Sequence, residues 1–102
     1  MSTIYDKANV EGVLSAHASA SAQLVTTPCR LRGVHAVPGA TAGTLQFRNG
    51  GASGTILLTI DTVASATSAA VYIALPGAGI NFGTDLYCTV TNTAFVTALY
   101  AQ

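Results

Sequence analysis

Charge is what this chain has least of. Only 8% of its 102 residues are Asp, Glu, Lys or Arg, against about 25% in an ordinary soluble domain. Formal net charge is +0, so the chain lacks the basic field with which a protein neutralises nucleic-acid phosphates, and no nucleic-acid partner is expected. Trp is absent, which weakens any case for carbohydrate stacking. Helical periodicity is missing throughout, and no helix of consequence is assigned.

Long hydrophobic runs and cysteine motifs are missing too. The longest charge-free run, 62–84, is long enough to span a bilayer, but Pro76, Gly77, Gly79, Asn81 and Gly83 interrupt it, so it reads as soluble and no membrane partner is expected. Residues 1–7 show neither a basic leader nor a continuous apolar segment, and folding in a cytosol is expected. Cys29 and Cys88 form no CxxC or metal-ligand spacing. In a reducing compartment the default is two buried thiols, with a disulfide between their strands as the alternative.

What is present is small and neutral: Ala, Thr, Ser and Gly dominate, and mean hydropathy is +0.50. Such a surface has little electrostatic solubility, so the free chain should associate, and a homo-oligomer or a surface covered by neighbours is expected. Length predicts a single core that folds without a metal or disulfide framework.

Along the chain, 1–22 ends in the alternating stretch Ser15-Ala16-His17-Ala18-Ser19-Ala20-Ser21-Ala22, which fits an extended strand or arm. It is assigned as an N-terminal arm lying on another subunit, with residues 23–102 forming the folded domain. Pro28 punctuates, and Cys29-Arg30-Leu31-Arg32-Gly33-Val34-His35-Ala36-Val37 reads as the first strong strand. Gly33 in its middle suggests a bulge or a close backbone approach. In Thr44-Leu45-Gln46-Phe47-Arg48 the period of two sets Leu45 and Phe47 inward. Asn49-Gly50-Gly51-Ala52-Ser53-Gly54 is the clearest turn, since Asn and Gly tolerate positive φ.

The following strand, Thr55-Ile56-Leu57-Leu58-Thr59-Ile60, has Ile56, Leu58 and Ile60 on one face and Leu57 on the other. Apolar on both sides, it is expected mid-sheet or under a partner. Residues 61–68 connect to a strand at 69–75, then a short extended piece at 80–82. A final pair at 85–91 and 94–101 is joined by Asn92-Thr93. The pattern predicts an all-β, antiparallel β-sandwich, jelly-roll-like, of six to eight short strands with an extended N-terminal arm.

Enzymatic constellations are sparse. A dyad of His35 with Cys29 or Cys88 lacks a sharp nucleophile turn, and Cys29 and His35 lie six residues apart along one strand. Asp61 and Asp85 stand where Asp caps and turns the backbone, and a hard cation wants more oxygen ligands than they supply. The glycine-rich turn lacks the Gly-Lys-Ser/Thr of a phosphate loop. No enzyme, cofactor or metal is expected. The candidate interface residues are Arg30, Arg32 and Arg48; the first two project to one face and could pair with a carboxylate on a neighbour. The alternative is solvated arginines on a sheet face.

Two stretches, Thr27-Pro28-Cys29-Arg30-Leu31-Arg32-Gly33-Val34-His35-Ala36 and Gly43-Thr44-Leu45-Gln46-Phe47-Arg48-Asn49-Gly50-Gly51-Ala52-Ser53-Gly54-Thr55-Ile56-Leu57-Leu58-Thr59-Ile60, resemble small β-sandwich virion proteins of tailed bacteriophages, including those of cyanobacteria. The similarity runs on through Leu75-Pro76-Gly77-Ala78-Gly79-Ile80 and the terminal strands. The resemblance implies a structural virion protein, assembled in the bacterial host cytoplasm. A capsid decoration or cement protein bound to the major capsid protein or other virion subunits is the leading form. A tail, fibre or collar subunit, or a host- or glycan-binding module, is the alternative. No catalytic motif is carried over.

Overall fold

The computed structural model describes residues 12–65 and 69–102. Their regular structure is entirely β: β1 (Leu14–Ala18), β2 (Ala22–Val25), β3 (Cys29–Pro38), β4 (Gly43–Asn49), β5 (Thr55–Thr62), β6 (Val71–Ala74), β7 (Ile80–Phe82), β8 (Leu86–Thr91) and β9 (Thr93–Ala101). One sheet has the order β1-β9-β3-β6, with β7 also on β3; the other has the order β2-β8-β4-β5. All pairings are antiparallel. β6 and β7 occupy successive stretches of β3 and act as one interrupted strand. Pairs β1·β9, β2·β8, β3·β6/β7 and β4·β5 then nest from the chain ends inward, which is a jelly roll: a long double strand folded over on itself. The expected antiparallel sandwich is the observed fold.

Alternation builds the core. Leu31 and Val34 of β3, Leu45 and Phe47 of β4, Leu86 and Cys88 of β8, and Val96 and Ala98 of β9 are buried between the sheets, with Phe82 of β7. Two threonines enter the same layer as a satisfied pair. Thr62 Oγ1 and Thr93 Oγ1 lie 3.2 Å apart, and Thr93 Oγ1 donates to the carbonyl of Thr91 at 3.1 Å. This links the end of β5 in one sheet to the start of β9 in the other.

The amino-terminal assignment changes. Residues 14–18 and Ala22, expected within an arm on another subunit, belong to strands of the chain's own sheets, as do 23–25, expected in the domain: β1 pairs β9 from Leu14↔Tyr100 to Ala18↔Val96, and β2 pairs β8. The Ser/Ala alternation is strand alternation over 15–18, where Ala16 and Ala18 are half-buried, whereas 19–21 form the bend between β1 and β2. Residues 1–11, the remainder of the expected arm, lie outside the described residues.

Two bulges interrupt the ladders, and the one in β5 corrects a face assignment. In β3 the register with β9 slips at Arg32, between Leu31↔Tyr100 and Gly33↔Leu99. The opposite neighbour breaks at the same level, where Leu75 N donates to Arg32 O at 2.9 Å and 75–79 separate β6 from β7. Gly79, at φ +86°, lets that segment return against the Leu31 carbonyl, where a Cβ would collide. The bulge expected at Gly33 falls one residue earlier, at Arg32, and what approaches Gly33 is the Tyr72 side chain and not another backbone.

In β4·β5 the register passes from Phe47↔Leu58 to Arg48↔Ile56, leaving Leu57 unpaired. That slip turns Ile56 to the outer face opposite Arg48, not to the core side with Leu58 and Ile60, because one extra residue reverses the alternation. β5 is also an edge strand, not a mid-sheet one. Its outward apolar residues are exposed.

Phe47 is wholly buried (0% exposed) at the centre of this layer. Phe47→Ala should cost about 3–5 kcal/mol, read as a lowered urea midpoint with an unchanged denaturant slope. An effect under about 1 kcal/mol would mean that the layer between the sheets is not packed around this ring.

Candidate functional site

The β4–β5 hairpin is held by a carboxylate from outside it. Asp85, only 4% exposed, precedes β8 and accepts hydrogen bonds from Gly50 N (2.7 Å), Gly51 N (3.2 Å) and Gln23 Nε2 (2.7 Å). In return Asn49 Oδ1 accepts from Thr84 N at 2.8 Å and Asp85 N at 3.4 Å. Gly50 and Gly51 carry φ +107° and +84°, so their N–H groups can converge on one oxygen, the geometry of a small anion nest. Here the anion is the chain's own. Burial raises the carboxyl pKa, but the Gly50, Gln23 and Gly51 donors outweigh it and the net shift is downward. Asp85 therefore does the backbone-turning work its position suggested, and Asp61, exposed on β5, is not its partner.

The three candidate arginines do not share a surface. Arg48 lies on the outer face of the β2-β8-β4-β5 sheet, opposite Tyr87 and Ile56. Its guanidinium is engaged at home: Nε donates to Thr89 Oγ1 (3.0 Å), one terminal nitrogen to Gly54 O (3.1 Å) and the other to Gln46 Oε1 (3.0 Å). It braces the hairpin onto β8. Arg30 and Arg32 alternate with buried Cys29 and Leu31 on β3 and leave the other sheet's outer face together, both half-buried. Among the described residues Arg30 donates to Gln102 O, at 3.3 Å, and Arg32 Nε is shielded from solvent with no hydrogen-bond partner.

The outer face around β3 also carries a row of side chains with no distinctive sequence signal. Register places His17, Thr97, His35 and Tyr72 side by side across β1, β9, β3 and β6. His17 Nδ1 shares a 2.9 Å hydrogen bond with Thr97 Oγ1, and its ring stacks on Phe95 at 5.5 Å between centroids. Nothing adjacent in sequence links these residues. The pairings β1·β9, β3·β9 and β3·β6 make them neighbours.

Chemistry is quiet elsewhere. Cys29 and Cys88 are free and buried in opposite sheets. Burial pushes the Cys88 thiol up to about 12; burial and then the Asp85 carboxylate raise that of Cys29. Thiolate, the reactive form, is suppressed in both. Among the described residues no cluster of three or more His, Cys, Asp or Glu is placed to hold a metal, no pocket opens, and no helix is long and apolar enough to cross a membrane. Compared with protein-family models, curated proteins and solved structures, the chain finds no match in any of the three. Fold and geometry thus define a jelly-roll β-sandwich whose best-organised polar site binds its own hairpin.

Two outcomes test this site. Asp85→Ala should destabilise the domain at neutral pH by about 1.5–3 kcal/mol, the scale of hydrogen bonds to a charged group. Asp85→Asn should recover part of that, because its carbonyl still accepts from Gly50 while Gln23 can turn its amide over. A lowered folded-state pKa gives stability that is present above the unfolded value near ~3.9 and lost as pH falls through the folded value. The wild-type advantage over Asp85→Ala should therefore be full at pH above about 5 and shrink progressively below about pH 4; a constant difference down to strong acid would remove the hairpin anchor. Separately, a thiol reagent at mildly alkaline pH should leave the native protein unlabelled and modify both cysteines in denaturant, as read by intact mass.

Proposed function

We propose that this chain is a structural virion protein of a tailed bacteriophage, most naturally a capsid decoration or cement protein that stabilises the shell by contacts with neighbouring subunits. The observation that carries the reading is the division of labour among its side chains. Arg48, Asp85 and Asn49 spend their hydrogen bonds holding the domain itself together. The outer surface is left nearly uncharged and carries Leu14, Ile56, Leu57, Tyr72 and Phe95 in exposed positions.

An inert jelly roll with such a surface is suited to being covered, and jelly rolls are a recurrent architecture of capsid components. Resemblance to small sandwich proteins of tailed phages supports the same reading. Among the described residues Arg30, which donates one bond to Gln102 O, and Arg32 can pair with a carboxylate on the major capsid protein or another virion subunit, and Arg48 drops out of that role because its own hairpin occupies it.

Quantitative mass spectrometry of purified particles tests this directly. Hundreds of copies per virion are expected for a shell component, a dozen or so would move the chain to the tail or collar, and absence from particles would end the virion reading. Arg30→Ala with Arg32→Ala should lower incorporation while costing the free protein about 1 kcal/mol of unfolding free energy in urea, ordinary for a point substitution, too little to unfold it; unchanged incorporation would exclude both arginines from the contact.

A further inference from the structure

The sandwich has four sheet edges, and they are not alike. β1 and β2 are linked by the short crossing at 19–21 and lie against each other, with Ser21 Oγ accepting from Val90 N at 2.8 Å. β6 is four residues long and gives way to the segment containing Pro76 before β7 resumes. β5 differs from these: it runs eight residues with no Pro, Gly, Lys or Arg, and among the described residues no strand pairs with its outer side.

Natural sheets protect edges with short strands, prolines, lysines or bulges. β5 has a bulge, at Leu57, and one charge, Asp61, and beyond the bulge Leu58–Thr62 keep regular register with β4. Apolar groups gather at this edge, with Ile56 40%, Leu57 38% and, just past the strand, Val63 51% exposed.

We propose that β5 is a self-association surface through which two copies of this chain pair edge to edge, antiparallel about a two-fold axis, joining their β2-β8-β4-β5 sheets into one eight-stranded sheet. A second copy is the occupant because the edge complements itself. With the axis at Thr59, each Leu58 meets Ile60 of the partner subunit on the core side and the two Thr59 meet on the outside, so like face continues like face.

Charge agrees with this. Asp61 is the only formal charge on β5, and in that register the two carboxylates stand about four residues or ~13 Å apart, beyond the ~8–10 Å screening length. At a formal net charge of +0, no long-range repulsion opposes a like copy. The edge has no cationic residue to attract an acidic strand and a single carboxylate to attract a basic one. This association stands on the edge geometry and does not depend on the virion role.

Sedimentation equilibrium of the full chain across a range of concentrations tests it, joined by hydrogen exchange. Mass should rise from 10.3 kDa to twice that value, and amides of 58–60 should gain protection in step with it. Leu57→Lys combined with Thr59→Lys, both at exposed positions, should hold the mass at one chain, whereas Leu14→Lys on the β1 edge should still dimerise. A mass fixed at one chain at every concentration would overturn the proposal. So would a dimer that survives the paired substitutions, or protection that grows on β1 or β6 instead of β5. The exchange measurement needs no variant, so a poorly folded variant cannot rescue the idea. A chain that never dimerises yet is abundant in particles would remove this interface alone; a β5 dimer missing from particles would remove the virion role alone.

Discussion

Everything else in this structure depends on the apolar layer shared by two sheets that the chain visits alternately. Because β1, β3, β6, β7 and β9 build one sheet and β2, β4, β5 and β8 the other, neither sheet can exist complete without most of the chain. Leu31 and Phe82 from one side meet Leu45, Phe47 and Leu86 from the other, and all are fully buried. At the area scale of hydrophobic burial, each such side chain stabilises by about 1.5–3 kcal/mol. The hairpin anchor, the Arg48 brace and the outer-face rows only decorate a framework that this burial makes. Pairing the two ends of the chain through β1·β9 also demands long loop closure, so a jelly roll of this kind belongs among the slower-folding topologies.

The fold was legible where strand chemistry is local. Alternation in 44–48, the turn at Asn49-Gly50-Gly51-Ala52-Ser53-Gly54, the break at Pro76-Gly77-Ala78-Gly79 and the Asn92-Thr93 turn mark β4 to β9 to within a few residues; Asn92 takes φ +50°, as an Asn at a hairpin can. β1 and β2 were less legible because their inward side chains are mostly small, so the apolar contrast that marks a strand is weak and an arm gives the same pattern. Bulges were hardest. Nothing about Leu57 distinguishes an unpaired residue from a paired one, yet its slip turns Ile56 from the expected core side to the outside. Gly33 hinted at the β3 irregularity, but the extra residue is its neighbour Arg32.

Site residues follow the same rule. Arg30 and Arg32 share a face because they are two apart on a strand, which spacing alone reveals. Arg48 seemed equivalent by type and is not, since its partners Thr89 and Gly54 arrive from another strand and from the far end of the turn. Asp85 was recognisable as a turn-forming residue, but the identity of the turn it stabilises, thirty-five residues earlier at Gly50, is information held only in three dimensions.

A nearly neutral protein faces a specificity problem that these features address together. Charged surfaces choose partners by complementary potentials and reject like copies by repulsion; with a formal net charge of +0, this chain can do little of either, so shape must discriminate. The β5 bulge helps, because it ends the regular edge at Leu58 and leaves only a short strip in which an added strand can find register. The Asp85 anchor helps as well, since a hairpin tied to β2 and β8 through Gln23 and the Gly50 and Gly51 amides holds β5 at a fixed orientation. An anchor far from the edge thereby influences whether the edge can be used. The polar groups that hold the hairpin in place thus also set the orientation at which the proposed β5 edge would meet a second copy.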